Sequence, residues 1–201
     1  MIIMITFNNL SKNPPYKRFK KEYDKAVLKN QNIVEAICIS SILKDSSQVD
    51  SRFVNLKIVE NEEFIFFSNY NSPKSEQFAS HNQISAAIFW SETNIQIRMK
   101  AKIKRLSKKE NDSYFKIRKK SKNALAISSN QSKKANSYED IKSKYLDVLD
   151  KDDLTICPSY WGGFSFKPYY FEFWKGDPNR LNKRDVFAKD KEVWNEFILQ
   201  P

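Results

Sequence analysis

The most regular pattern in the chain is Ile95-Gln96-Ile97-Arg98-Met99-Lys100-Ala101-Lys102-Ile103, where apolar and polar residues alternate strictly. A period of two predicts a strand with one apolar and one polar face, half-buried in a sheet. This strand extends over about 94–106, and similar signals predict strands at about 34–43, 51–59, 62–68, 84–90 and 192–199. Helical spacing begins at Pro14-Pro15, which opens an amphipathic helix over about 15–29 with Phe19, Tyr23, Ala26 and Val27 on one face. Ser72-Pro73-Lys74-Ser75-Glu76 reads as a helix start, an N-cap serine followed by proline at the first helical position. Ser107-Lys108-Lys109-Glu110 is a capping box opening a helix to about Arg118, and a further helix covers about 137–149. Near the C-terminus Gly176-Asp177-Pro178-Asn179 combines four turn formers between aromatic-rich segments, so about 160–199 reads as an aromatic hairpin. In that hairpin Trp174 closes one strand and Arg180 opens the next, setting a large π surface beside a fixed cation. Six or more strands at short spacing, with inserted helices and no internal repeat, predict a mainly β fold with α additions, an antiparallel barrel. Closing the barrel removes exposed edge strands.

Composition narrows the chemistry. With 201 residues, 40% hydrophobic and 14% aromatic, the chain is expected to fold as one domain spanning 1–201. Its three glycines are Gly162, Gly163 and Gly176, which excludes a glycine-rich dinucleotide fingerprint and a Walker-type phosphate loop. Any phosphate site must therefore use side chains and helix N-termini. The net charge of +11 points to anionic partners. The lysines are spread through the chain and read mostly as solvated faces, with Lys17 to Lys21 and Lys116 to Lys122 as the runs to watch. The two cysteines, Cys38 and Cys157, are far apart and only one histidine, His81, is present, too few soft ligands for a structural zinc. His81 also lacks the surroundings of a catalytic triad. Met1 to Ile5 is too short for a signal segment and no run reaches the length of a membrane span, so a cytoplasmic protein with free thiols and no membrane or nucleic-acid partner is expected.

Several polar groups are placed where they could carry chemistry. Tyr114 and Arg118 stand at i and i+4, one face of one helix, with Lys122 a further turn on. Alternation puts Arg52, Val54 and Leu56 on one strand face and Phe53, Asn55 and Lys57 on the other, so Arg52 and Lys57 converge only if the strand bends. At Ser72 and Lys74 a helix N-terminus offers free N–H groups and a positive dipole end to a phosphate, with the lysine charge beside it.

The segment Trp161-Gly162-Gly163, followed by Glu172-Phe173-Trp174, Gly176 and Arg180-Leu181, is similar to the C-terminal signature of the pyridoxamine 5′-phosphate oxidase family. The similarity runs from about residue 16 to 199 and implies an FMN-binding split barrel, a homodimer with FMN at the subunit interface. In the family's register, the cofactor-binding positions are Arg52, Lys57, Phe67, Ser68, Ser72, Lys74, Gln96, Gln131, Ser132, Trp174 and Arg184. The substrate positions are Lys57, Tyr114, Arg118, Lys122, Arg180 and Asn182, with Arg180 and Asn182 over the reacting carbon. The implied reaction passes a hydride from C4′ of pyridoxamine or pyridoxine 5′-phosphate to the flavin, giving pyridoxal 5′-phosphate, with oxygen as final acceptor. Three positions depart from the family. Pro73 replaces an arginine and removes a charge-assisted contact of about 1.5–3 kcal/mol, or about 10- to 100-fold in FMN affinity. Lys122 replaces a serine, and Asn182 replaces a histidine that holds the substrate. The alternatives are a family member that binds FMN but acts on another substrate, a flavin reductase-like protein, or a cofactor-free basic barrel that binds nucleic acid.

Overall fold

The structure is a computed structural model that describes residues 4–151 and 153–201. Of the apolar segment Met1 to Ile5, residues 1–3 lie outside the described residues. Ten strands form one sheet: Thr6–Asn8 (β1), Ala36–Leu43 (β2), Gln48–Asn55 (β3), Ile58–Glu60 (β4), Glu63–Asn69 (β5), Gln83–Trp90 (β6), Ile95–Arg105 (β7), Trp161–Lys175 (β8), Lys183–Asp190 (β9) and Val193–Leu199 (β10). Among the described residues five α-helices are added: Pro14–Leu28 (α1), Pro73–Ser80 (α2), Lys108–Ile117 (α3), Lys120–Ser128 (α4) and Tyr138–Lys151 (α5). The main path runs β1-β4-β5-β8-β7-β6-β2-β3, while β9 and β10 extend from the distal half of β8. The β1–β4 pair is parallel and the other ladders are antiparallel, so the sheet is mixed.

The alternation in β7 has the consequence its period dictates. Ile95, Ile97, Met99, Ala101 and Ile103 are buried, while Gln96, Arg98, Lys100 and Lys102 line the outer face. Against the inner face, α1 lays Tyr16, Phe19 and Tyr23, all buried. The Phe19 and Phe64 rings meet edge to face at 4.9 Å, and Tyr16 meets Phe171 at 5.3 Å. Each such pair adds about 0.5–1.5 kcal/mol beyond the area it buries.

The central strand β8 joins the two halves of the molecule. Its proximal part pairs with β5, Gly163 opposite Phe67 and Gly162 opposite Ser68, and its distal part pairs with β9. The glycines are set by close packing on this strand. A Cβ on Gly162 would run into Tyr70 Oη and the Asn111 amide. Those groups form a closed network: the Tyr70 hydroxyl donates to Gly163 O at 3.0 Å, Asn111 Nδ2 donates to Tyr70 Oη at 3.0 Å, and Gly163 N–H donates to Asn111 Oδ1 at 2.8 Å.

Three features differ from the sequence expectation. The strand expected over 51–59 breaks after Asn55 and resumes at Ile58, so Leu56 and Lys57 form a bend. Its backbone bonds leave the β3 ladder: Leu56 N–H donates to Glu35 O and Lys57 N–H to Ile65 O. The capping box at Ser107 and Glu110 forms and its helix stops where expected, with Arg118 extended as the C-cap, but the helical register does not continue: a separate α4 begins at Lys120. Tyr114, Arg118 and Lys122 therefore do not share one helical register. In the hairpin, Arg180 lies inside the turn with φ 63°, and the next strand opens only at Lys183. The cross-strand partner of Trp174 is Arg184, not Arg180.

Candidate active site

A cavity of about 630 Å³ lies where the bend after β3, the end of β5, α2, α3 and α4 meet. Five cations line it, Lys57, Lys74, Arg118, Lys119 and Lys122, and no carboxylate does among the described residues. Like charges held together in a partly dry space repel, and an anion relieves that repulsion. The bend at Leu56-Lys57 places Lys57 here, where its Nζ is buried without a hydrogen-bond partner among the described residues. Burial holds this ammonium below the ordinary lysine range; Glu35 opposes the shift, and Lys122 and Arg118 add to it.

The cavity's second cation sits at the start of α2. Lys74 is only 7% exposed, and its Nζ donates to Ser68 Oγ at 3.3 Å and Ser72 Oγ at 3.2 Å. Burial lowers its pKa, with the Arg52 charge acting the same way. Ser72 has the extended backbone of an N-cap, yet its hydroxyl donates back to Asn69 O at 2.7 Å instead of capping the helix. Gln131 closes this end: its Oε1 accepts from Asn69 N–H at 3.2 Å and Ser68 Oγ at 3.4 Å. Its neighbour Ser132 turns away into a separate pocket with Lys133 and Lys134. Arg52 also stays outside the cavity. Its guanidinium is held by Asp50 at 2.7 Å, Gln77 Oε1 at 2.5 Å and Ser41 Oγ at 2.6 Å.

The aromatic wall is built by stacking. Phe67 stacks on Tyr114 at 3.7 Å and on Trp161 at 5.2 Å, and the Arg118 guanidinium lies over the Trp161 ring at 4.7 Å. Arg118 Nη1 donates to Lys122 O at 2.8 Å and Asn123 Oδ1 at 3.2 Å, which ties the end of α3 to α4. The buried Asn123 amide in turn donates to Phe115 O and Leu154 O. Tyr114, Arg118 and Lys122 thus meet through a helix break stitched by side chains. Burial raises the Tyr114 phenol above its usual range, with Arg118 opposing.

A second group of candidate residues lies elsewhere, on the outer face of the sheet. Gln96, Trp174 and Arg184 are direct cross-strand neighbours on β7, β8 and β9. Phe89 flanks Gln96 on the other side and is 56% exposed. One rung away, Glu172 is 2% exposed and collects three donors: Arg184 Nε at 2.8 Å, Arg98 Nη1 at 3.2 Å and the Tyr170 hydroxyl at 3.1 Å. Beyond the end of this row, Asn182 Oδ1 accepts from Asp177 N–H at 3.1 Å, and Arg180 is exposed on the turn. None of Gln96, Trp174, Arg180, Asn182 or Arg184 lines the cavity that holds Lys57 and Lys74. From Asn55 to Trp174 the sheet crosses four strand spacings, about 19 Å, and Trp161 and Trp174 are separated by roughly 40 Å of strand path along β8.

Sequence reasoning missed the Asn123 stitch and the role of Glu172, while Lys119 fell within the flagged lysine run without being named. Glu172 carried a signal, a lone carboxylate in an aromatic strand two residues before Trp174, whereas the α3–α4 break carried none stronger than the lysine run.

The architecture defines a class, the split β-barrels, here with a cation-lined cavity at one side and an aromatic-cation row at the other. The fold is shared with PhzG from Burkholderia lata, solved with tetrahydrophenazine-1-carboxylic acid, at a TM-score of 0.86 and 22% identity over 94% of this chain and 95% of that one. It is also shared with a pyridoxamine 5′-phosphate oxidase-related, FMN binding protein from Nostoc punctiforme, at a TM-score of 0.76 and 10% identity over 94% of this chain and 100% of that one. Residues 161–201 match the pyridoxine 5′-phosphate oxidase C-terminal dimerisation region. The pyridoxine/pyridoxamine 5′-phosphate oxidase 1 of Hydrogenovibrio crunogenus is 31% identical over 191 residues, 93% of this chain and 88% of that protein. The corresponding oxidase of Colwellia psychrerythraea is 36% identical over 169 residues, 83% of this chain and 77% of that protein. The chain belongs to the pyridoxine/pyridoxamine 5′-phosphate oxidase family and is an oxidoreductase of that family. Among its described residues no helix is long and apolar enough to cross a membrane.

Proposed function

We propose that this protein binds FMN and oxidises pyridoxamine or pyridoxine 5′-phosphate to pyridoxal 5′-phosphate, at a site assembled from two copies of the chain. The observation that carries the reading is the cavity itself: five cations, no carboxylate and a stacked aromatic wall, a setting suited to planar, phosphorylated ligands. The residues fit the cofactor. Lys74, Ser68 and Ser72, with Gln131 beside them, form a buried donor cluster for a phosphate, and Lys57 brings an orphaned ammonium. Arg52, whose donors are engaged internally, contributes to α2 placement and charge rather than direct contact. Gln96, Trp174 and Arg184 belong to the other half of the site, supplied by the second copy. Two facts support that division: on one chain they lie apart from the cavity, and two of them fall within the dimerisation-region match.

Bound FMN supplies hydride acceptance and return of the electrons to oxygen. The chain's own residues bind and orient. Tyr114, Arg118 and Lys122 hold the substrate phosphate, Phe67 and Tyr114 exclude water from one side, and Arg180 and Asn182 of the turn close over the reacting carbon. The proposal places the whole site in one domain of a homodimer. A different FMN-dependent substrate is the second reading, favoured by Asn182 committing its Oδ1 acceptor to the turn where the family has histidine.

Titration of purified protein with FMN, followed by flavin fluorescence, tests the cofactor. Saturable binding in the micromolar range is expected, and its absence rejects the proposal. Turnover of phosphorylated but not unphosphorylated pyridoxine is the expected substrate result. Bound FMN with no turnover of either would transfer the assignment to the second reading.

A further inference from the structure

Glu172 is an unusual residue for an outer sheet face. It is a carboxylate at 2% exposure in a segment otherwise made of Phe171, Phe173 and Trp174. Burial alone would disfavour its charge, but the bonds from Arg184 and Tyr170 and the charge of Arg98 outweigh that and hold the carboxyl below its ordinary range. All three donors come from the same face, and each oxygen is used: Oε1 by Arg184, Oε2 by Arg98 and Tyr170. Cross-strand register shows what this does. Arg98 lies directly opposite Glu172, whereas Arg184 lies opposite Trp174 and reaches back one rung to the carboxylate. Its Nη1 is fixed separately on Gln200 O at 2.9 Å. The Arg184 side chain is thereby pinned at two points beside the Gln96–Trp174 pair. Simple strand bridging would need one partner; here one buried carboxylate sets two guanidinium groups and offsets one of their charges.

We infer that Glu172 is a positioning residue: it fixes Arg184 and Arg98 toward the flavin and lowers by one the positive charge that the flavin meets on this face. The inference rests on the FMN reading above. A protein positive charge near a flavin ring favours its reduced, more anionic form, so a carboxylate that cancels one of two guanidinium charges works against reduction. Replacing Glu172 by Gln keeps size and one acceptor oxygen while removing that charge, and the acceptor it loses is controlled by the second variant below. A unit charge at a separation of about 10 Å and an effective dielectric of about 20 changes an equilibrium by about tenfold.

The test measures FMN affinity and the midpoint potential of bound FMN, by fluorescence titration and by equilibration with a reference dye. In Glu172→Gln the ratio of reduced to oxidised FMN at a fixed dye poise should rise by about tenfold, with FMN still bound. Arg98→Met, which removes a cation from the same carboxylate, should shift that ratio the opposite way and serves if Glu172→Gln fails to fold. A thermal unfolding curve for each variant separates loss of fold from loss of tuning. An unchanged potential in both variants, with FMN bound, overturns the inference and leaves Glu172 a strand bridge. Failure of the unaltered protein to bind FMN overturns the inference and the FMN reading together, and is distinguished by the absence of any flavin signal to measure.

Discussion

The cation-lined cavity and the outer row of Gln96, Trp174 and Arg184 are built by opposite means. In the cavity the key charges are buried and short of partners: Lys57 Nζ has no hydrogen bond among the described residues, and Lys74 meets only two hydroxyls. In the row the charges are satisfied within the sheet, Arg184 through Glu172 and Gln200, and the aromatic surface is left partly open. A region with unbalanced charge stores affinity for an anion, whereas a region with balanced charge and exposed rings offers shape and stacking. In the proposed dimer the two are complementary, each supplying what the other lacks.

The largest effect should come from the cavity. Lys74→Ala removes a buried charge-assisted donor and should weaken FMN by about 1.5–3 kcal/mol, roughly 10- to 100-fold, in a fluorescence titration. An unchanged dissociation constant would place the cofactor phosphate elsewhere. Gly162→Ala acts on the same region through packing. Its Cβ would displace Tyr70 and Asn111, so a loss of about 1–3 kcal/mol in denaturant unfolding is expected. In the row, Arg184→Gln takes a guanidinium from the buried Glu172 carboxylate, so it should lower stability in denaturant unfolding and also weaken FMN if the row meets the cofactor.

The pH dependence separates the regions further. The Lys57 pKa is lowered in the fold, so its charge is lost as pH rises through a value below the usual lysine range. Anion affinity should fall there, and Lys57→Arg should abolish the fall because guanidinium does not titrate. For stability the sign is reversed: the folded state binds this proton less well than the unfolded chain. The associated penalty is therefore present at low pH and relieved as pH rises between the folded and ordinary lysine values. The smallest effect is expected at Asn182→His, about 0.5–1.5 kcal/mol or roughly 2- to 13-fold gain in kcat/KM with pyridoxamine 5′-phosphate. A much larger, pH-dependent gain would mean that a cationic imidazole matters at this position.

Legibility in the sequence followed the range of the forces. Alternation in Ile95 to Ile103 and the Ser107–Glu110 capping box are local, and both form as read. The bend at Leu56-Lys57 is not local: it depends on Glu35 and Ile65 accepting the bonds that leave the β3 ladder. The break after Ile117 depends likewise on Asn123 bridging Phe115 and Leu154, so a run of helix formers concealed two helices. Family resemblance supplied the candidate residues, but not their division. That Gln96, Trp174 and Arg184 fall side by side, and apart from Lys57 and Lys74, follows from strand register that no single strand encodes.

The claim that the site is shared between two copies is tested most directly by mixing defective chains. One chain carries Lys74→Ala and Arg118→Ala, the other Trp174→Ala and Arg184→Ala, and each alone should lose FMN. Random assembly of equal amounts makes half the dimers hybrid, and each hybrid holds one intact site of two. Co-expression should therefore restore about a quarter of the FMN-binding sites of the unaltered protein. Recovery no greater than the average of the two parent variants would contradict a site built across the dimer.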